Sequence, residues 1–141
     1  MKYSPFIALA TAISLAATPV LAQEEEEPRT TYSVTMLKLA DDADERWLEM
    51  QTQYIQPARV AAGMNEDTIH WVMMGDDYDI IMVSEMPGGM ANFDSHAPAA
   101  RMAFVESLTE LAGGEAELET LGDEMDTLVE SSTTLYTHTH P

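Results

Sequence analysis

Histidines are the residues of this sequence whose type and spacing best suit chemistry. His138 and His140 stand two residues apart in a predicted strand, so both imidazoles project from one face, about 7 Å apart at the backbone. That spacing suits two ligands of a metal ion, and it equally suits two solvated side chains near the end of a chain. His70 lies within another predicted strand and is the best single candidate for proton transfer or ligand contact, because imidazole exchanges protons near neutral pH. A core histidine satisfied by hydrogen bonds is the alternative, since the sequence leaves open which face of that strand points inward.

Aromatic side chains form a second group of candidate ligand contacts. Tyr54 and Tyr136 carry phenolic hydroxyls, and Trp71 can stack on an apolar ligand. Each of the three also fits an ordinary core position. The sequence has no cysteine, which excludes a thiolate metal site and a cysteine nucleophile, and it has no glycine-rich phosphate loop. We therefore predict no cofactor.

The first 22 residues have the organisation of a secretory signal peptide. Lys2 carries one positive charge ahead of an uncharged apolar run, and Val20 and Ala22 supply the small side chains that signal peptidase requires. The apolar run is shorter than the roughly 20 residues of a membrane-spanning helix. We expect cleavage after Ala22 and a soluble product in the periplasm or outside the cell.

The chain that remains after cleavage is strongly acidic. All 25 Asp and Glu residues follow Ala22, and only five of the Lys and Arg residues do, which gives a net charge of −20. Such a field repels phosphate backbones and anionic lipid surfaces, so nucleic acid and membranes are excluded as partners. Residues 23–30 contain four consecutive glutamates and a proline, and they predict a disordered acidic leader.

The hydrophobic pattern predicts one domain over residues 31–141 with the element order β-α-β-β-α-(α)-β. Strands are expected where β-branched and apolar residues alternate, and helices where apolar residues recur at helical spacing. The predicted strands are 32–39, 68–74, 78–86 and 133–140, and the predicted helices lie between Asp42 and Gly63, between Pro98 and Gly113, and over 115–131. Pro57 is expected to kink or divide the first helix. This order is the ferredoxin-like α+β arrangement, a four-stranded antiparallel sheet with helices packed on one face, and it leaves the other face to be covered.

Several short phrases of the chain resemble the dimeric α+β barrel superfamily. They are 54–57, 61–63, 70–72 and 75–81, together with 110–114, a segment that also occurs in uncharacterised small bacterial proteins. The resemblance implies a homodimer in which two sheets form a barrel, with a lumen or cleft for a small apolar ligand. Members of the superfamily include cofactor-free monooxygenases, isomerases, haem-active enzymes and plain binding proteins, so the resemblance does not select a chemistry.

Three hypotheses for function follow. The first is an exported homodimer that binds a small apolar molecule with His70 as its polar contact, and whose enzymatic form would be a cofactor-free oxygenase or isomerase. The second, from another class, is a non-catalytic interaction or structural module. The third is a metal-binding protein that uses His138 and His140.

Overall fold

A computed structural model describes residues 29–75 and 77–140 of the chain. The predicted signal peptide and residues 23–28 of the predicted leader lie outside the described residues. The strands are β1 (Thr31–Leu39), β2 (Thr68–Trp71), β3 (Ile80–Glu85) and β4 (Val129–His138), and the helices are α1 (Asp44–Met50), α2 (Gln56–Ala61), α3 (Ala99–Ala112) and α4 (Glu115–Leu128). A π-helical turn (Gln51–Ile55) joins α1 to α2, and a 3₁₀ turn (Gly89–Asp94) precedes α3. Among these residues no helix is long and apolar enough to cross a membrane.

The four strands form one antiparallel sheet in the order β2-β3-β1-β4. This order and the helices between the strands confirm the predicted ferredoxin-like α+β fold. The predicted hairpin of the second and third strands is also confirmed, because β2 pairs with β3. Thr30 extends the pairing beyond β1, since its carbonyl accepts the backbone N–H of Thr139 at 3.0 Å.

The helices pack on one face of the sheet, where the core lies. Leu37 and Ile80 are directly opposite each other in β1 and β3, and Trp47 of α1 packs on them with 1% of its surface exposed. Trp71 of β2 meets Trp47 edge to face, with ring centroids 6.3 Å apart. Side chains two residues apart share a face of a strand, so this contact assigns alternate residues of every strand to the helix-covered face.

The π-helical turn resolves how the chain accommodates Pro57. The backbone N–H of Gln56 donates to the carbonyl of Gln51, five residues earlier, which widens the helix by one residue just before the proline. Pro57 then occupies the first turn of α2, where its missing N–H is not needed. The helix therefore continues through Pro57, and the irregularity that the proline predicts takes the form of a π turn.

The boundary between α4 and β4 differs from the prediction. We expected the helix to reach residue 131, but α4 ends at Leu128 and β4 begins at Val129. The carbonyl of Leu128 accepts the N–H of Ala40 at 3.0 Å, and Val129 pairs with Leu39 beside an irregularity at which β4 carries one extra residue. Tertiary pairing thus ends the helix three residues early, and it recruits a β-branched residue that also suits a strand.

The second strand is shorter than the predicted segment 68–74. The N–H of Val72 donates to the carbonyl of Asp79 at 2.8 Å, and the chain then leaves the sheet. Met73 and Met74 are 94% and 92% exposed in the hairpin loop. These apolar side chains suggested a longer strand, but they do not pack against the sheet.

Asp79 ties the end of this hairpin to β1. Its carboxylate accepts the backbone N–H of Leu39 at 2.9 Å and the ammonium of Lys38 at 3.1 Å. The bond from the Leu39 N–H, followed by the contact with Lys38, lowers the pKa of Asp79 below its ordinary value of 3.8. Because the folded state prefers the ionised carboxylate, the stabilisation is complete above the ordinary pKa and is lost as the pH falls through the lowered one.

Replacing Asp79 with Asn should therefore make the free energy of unfolding less dependent on pH in the acidic range. We expect Asp79→Asn to lower the free energy of unfolding at neutral pH by about 1 kcal/mol, a modest value because the carboxylate is partly exposed to solvent. Below pH 3.8 the difference between wild type and variant should shrink. Urea unfolding across a pH series measures both effects, with Asp41→Asn in the exposed turn after β1 as a control. A difference that stays constant at low pH would contradict this assignment.

Candidate functional site

A cavity lies between the sheet and α3. It has a volume of about 650 Å³ and opens between the helix-covered face of the sheet, the 3₁₀ turn and the first residues of α3. We call it the α3 cleft. The core around Trp47 occupies the other end of the same face, where α1 and α4 cover the sheet. The cleft exists because the helices leave this end of the face only partly covered.

A row of three hydroxyl groups forms the floor of the α3 cleft. Ser33 of β1 lies directly opposite Ser84 of β3 on one side and opposite Tyr136 of β4 on the other. All three residues line the cavity. None of their side chains hydrogen-bonds to another residue of 29–75 or 77–140. The two serines are partly buried and their hydroxyl oxygens remain accessible to solvent, so a ligand in the cleft can reach these hydroxyls and form hydrogen bonds with them.

Aromatic and apolar side chains form the walls. Phe93 of the 3₁₀ turn meets Tyr136 edge to face, with ring centroids 5.2 Å apart. Phe104 and Ala100 of α3 and Pro98 at its N-cap also line the cavity. Phe93 remains 56% exposed and Tyr136 49% exposed, so the described residues leave apolar surface at the cleft uncovered.

Charged side chains line the rim of the cleft. They are Arg59, Glu85, Arg101 and, when protonated, His96. The carboxylate of Glu85 accepts the side-chain amide of Asn65 at 2.8 Å. Arg101 forms no ion pair or hydrogen bond through its side chain with any residue of the described segments.

Arg59 is held in place by a nearly buried carboxylate. Its Nη2 lies 2.8 Å from Oδ1 of Asp67, and the two side chains are only 12% and 3% exposed. That Oδ1 has no hydrogen bond of good geometry, so the contact is an ion pair whose N–H is poorly aligned. The Nε of Arg59 donates to the carbonyl of Asn65 at 3.0 Å. The charge of Arg59 is thus balanced within the protein, and its function is to close the loop between α2 and β2.

Two buried glutamines connect this ion pair to the π-helical turn. Gln56 accepts the backbone N–H of Asp67 at 2.8 Å, and its amide approaches Oδ2 of Asp67 at 3.4 Å and Oε1 of Gln51 at 3.3 Å. Gln51 and Gln56 are 5% and 8% exposed. Buried polar groups need partners, and the wide π turn places both amides where they supply them to the loop.

The four predicted ligand contacts do not form one site. Tyr136 lines the α3 cleft. His70 lies opposite Ile81 on the face of the sheet that carries no helices, and Trp71 packs on Trp47. Tyr54 sits in the π-helical turn and lines a separate pocket of about 230 Å³ against α4. The residue predicted as the best polar contact, His70, is therefore across the sheet from the cleft.

The two C-terminal histidines lie side by side. The ring centroids of His138 and His140 are 5.1 Å apart, with the rings tilted by 51°. Both are exposed, and within the described residues no group of three or more His, Asp or Glu side chains is placed to hold a metal ion. The metal site on these two residues stays a prediction.

Sequence reasoning missed Ser33, Ser84, Phe93 and Arg101. A signal for the two serines was present, because Ser33 shares its face of β1 with buried Leu37 and Leu39, and a serine on such a face interrupts the apolar pattern. No comparable signal marked Phe93 or Arg101, since only the fold brings the 3₁₀ turn and α3 to the strands.

Comparison with known proteins supports the fold and leaves the family open. No protein family profile and no curated protein matches the chain. A NIPSNAP family protein from Agrobacterium tumefaciens aligns at 12% identity over 79% of this chain and 86% of its own, with a TM-score of 0.53. A second NIPSNAP family protein of unknown function from the same bacterium aligns at 12% identity over 78% and 87%, with a TM-score of 0.50. At such identity the likeness concerns the fold alone, which is the ferredoxin-like α+β fold that the order of the elements predicted.

The buried ion pair gives a direct test of the loop that borders the cleft. Arg59→Gln leaves the Asp67 carboxylate buried without a cation, so we expect the free energy of unfolding to fall by about 3 kcal/mol. Adding Asp67→Asn should recover a large part of this loss, because the uncompensated charge is removed. Arg46→Gln is the matched control. It breaks a pair with Glu124 in which both side chains are more than a third exposed, and it should cost about 1 kcal/mol or less. Equal losses for Arg59→Gln and Arg46→Gln in urea unfolding would contradict the buried-pair assignment.

Proposed function

We propose that this protein is exported and binds a small, largely apolar molecule in the α3 cleft. The observation that carries the proposal is the row of unbonded hydroxyls, Ser84, Ser33 and Tyr136, beneath aromatic walls. On the helix-covered face of a sheet, packing favours apolar side chains. Polar groups placed there without protein partners are typical of a binding site, in which the ligand supplies the missing bonds.

The size and chemistry of the cleft support this proposal. A volume of about 650 Å³ falls within the range of roughly 300 to 1,000 Å³ that is usual for small-molecule sites. The exposed parts of Phe93 and Tyr136 offer apolar area, and burying such area under a ligand contributes about 25 cal/mol per Å². A flat or elongated apolar body with one or two polar atoms suits these contacts.

Catalysis on such a molecule is a further step within the same proposal. A cofactor-free oxygenase or isomerase would hold its substrate in the cleft, and His96 is the lining side chain best suited to exchange protons. Consumption of a compound that the cleft binds would separate this enzymatic form from plain binding.

Binding of the neutral fluorescent probe N-phenylnaphthylamine tests the cleft. We expect the wild-type domain to bind the probe, and Ser84→Phe to weaken binding by at least about tenfold, since the added ring fills the floor of the cleft. Val60→Phe is the control, because it adds the same ring at a position of α2 that is 53% exposed. Circular dichroism checks that both variants fold. If Ser84→Phe binds the probe as wild type does, or if the wild type binds none, the small-molecule proposal fails and the structural module is favoured.

We also propose that the chain forms a homodimer through the face of the sheet that carries no helices. Two rows of opposite residues cross this face, and the registers of all four strands define them. One row is Thr68, Val83, Val34 and Leu135, and the other is His70, Ile81, Met36 and Thr133. Leu135 is 50% exposed. A sheet needs both faces covered when both carry apolar residues, and a second copy with the same face provides a self-complementary cover.

Light scattering at micromolar concentration tests the dimer. We expect the wild type to have twice the mass of one chain and Val34→Asp to have the mass of one, because dimerisation would bury two unpaired carboxylates at the centre of the interface. Leu135→Asp, on the edge strand, provides a second variant in case Val34→Asp unfolds. Val60→Asp on the surface of α2 is the control and should remain dimeric. A monomeric wild type would overturn the proposal.

A further inference from the structure

We propose that the ligand of the α3 cleft is an acid, with an apolar body and an anionic group that Arg101 receives. This inference rests on the proposed function, because it names the class of molecule that the same cleft takes. It is drawn from the distribution of positive charge and from the walls of the cavity.

Positive charge is scarce in this chain and most of it is already paired. Four cationic side chains lie between Thr30 and His140, namely Lys38, Arg46, Arg59 and Arg101. The first three form ion pairs with Asp79, with Glu49 and Glu124, and with Asp67. Arg101 has no such partner among the described residues, although the sequence contains 25 acidic residues. Arg59 and Arg101 both line the α3 cleft, and of these two Arg101 is the one without an ion-pair partner among the described residues.

The surroundings of Arg101 keep its charge available. The first turn of α3 contains no acidic residue, whereas the first turns of α1 and α4 contain two each. Glu85 is the one carboxylate among the described residues that line the cleft, and the amide of Asn65 already binds it. His96, also at the rim, is a second donor for an anion and carries no negative charge in either protonation state.

The walls of the cleft define the rest of the ligand. Phe93, Phe104 and Tyr136 line the cavity, so the body of the molecule is apolar and stacks on rings. A guanidinium presents its N–H groups as a planar fork that matches a carboxylate, sulfonate or phosphate. The acidic chain as a whole repels anions at long range, and a contact with Arg101 is the local attraction that overcomes this repulsion.

Two probes with one skeleton separate this inference from the proposed function. N-phenylnaphthylamine is neutral, and anilinonaphthalene sulfonate carries the same rings with a permanent negative charge. We expect the wild type to bind both probes. Arg101→Gln should lower the affinity for the sulfonate by about five- to tenfold and should change the affinity for the neutral probe by less than about twofold. Arg46→Gln is the control, since it removes the same charge from the surface of α1, away from the α3 cleft, and it should leave both affinities unchanged. Arg101→Lys, which keeps the positive charge, should retain part of the affinity for the sulfonate that Arg101→Gln loses.

The outcomes are distinguishable. If the neutral probe fails to bind the wild type, the proposed function itself fails. If the neutral probe binds and the wild type excludes the sulfonate, the cleft takes small molecules and the acid assignment is wrong. Equal weakening of both probes by Arg101→Gln would make Arg101 a structural residue and would overturn the inference as well.

Discussion

The contact of Trp47 with Leu37 and Ile80 is the interaction on which the rest of the structure depends. Trp47 and Ile80 are almost completely buried, and their contact determines which face of the sheet the helices cover. Because side chains alternate along a strand, this one choice also places Ser33, Ser84 and Tyr136 under α3 and His70 on the opposite face. A change of register by one residue would exchange these two sets.

The core is off-centre on the sheet, and this asymmetry creates the cleft. Trp47, Met125 and Leu128 gather at the end of β1 that leads into α1. At the other end, Phe104 of α3 and the hydroxyls of Ser33 and Ser84 line the same cleft, and hydroxyls offer little apolar surface on which a helix can pack. The Arg59 and Asp67 pair, supported by Gln51 and Gln56, keeps the adjoining loop in place with polar bonds. A cleft bordered by a loop that polar contacts hold in place is preformed, which lowers the entropy cost of binding.

Sequence reasoning predicted most of the fold and little of the site. The element order, the hairpin and the ferredoxin-like class followed from hydrophobic periodicity, which the structure confirms. The errors lie in segments whose local sequence fits two kinds of structure about equally well. Val129 fits the apolar stripe of α4 and also a strand, and only its pairing with Leu39 decides between them. Met73 and Met74 fit a strand, but the hairpin closes at Val72 before they can pair.

Whether the sequence alone could predict a feature of the site depends on how far apart the residues involved are along the chain. By itself, the sequence determined the acidic charge, the absence of cysteine chemistry, the signal-peptide pattern and the periodicity that specifies strands and helices, because each is a property of composition or of neighbouring residues. It did not determine which aromatic residues meet, since Phe93 and Tyr136 are far apart in the chain and come together only when β4 pairs with β1. Nor did it show that Arg101 has no ion-pair partner among residues 29–75 and 77–140, because ion pairing depends on which carboxylates the fold brings near. The tertiary structure decided these points, since the sheet register and helix packing set the distances between residues.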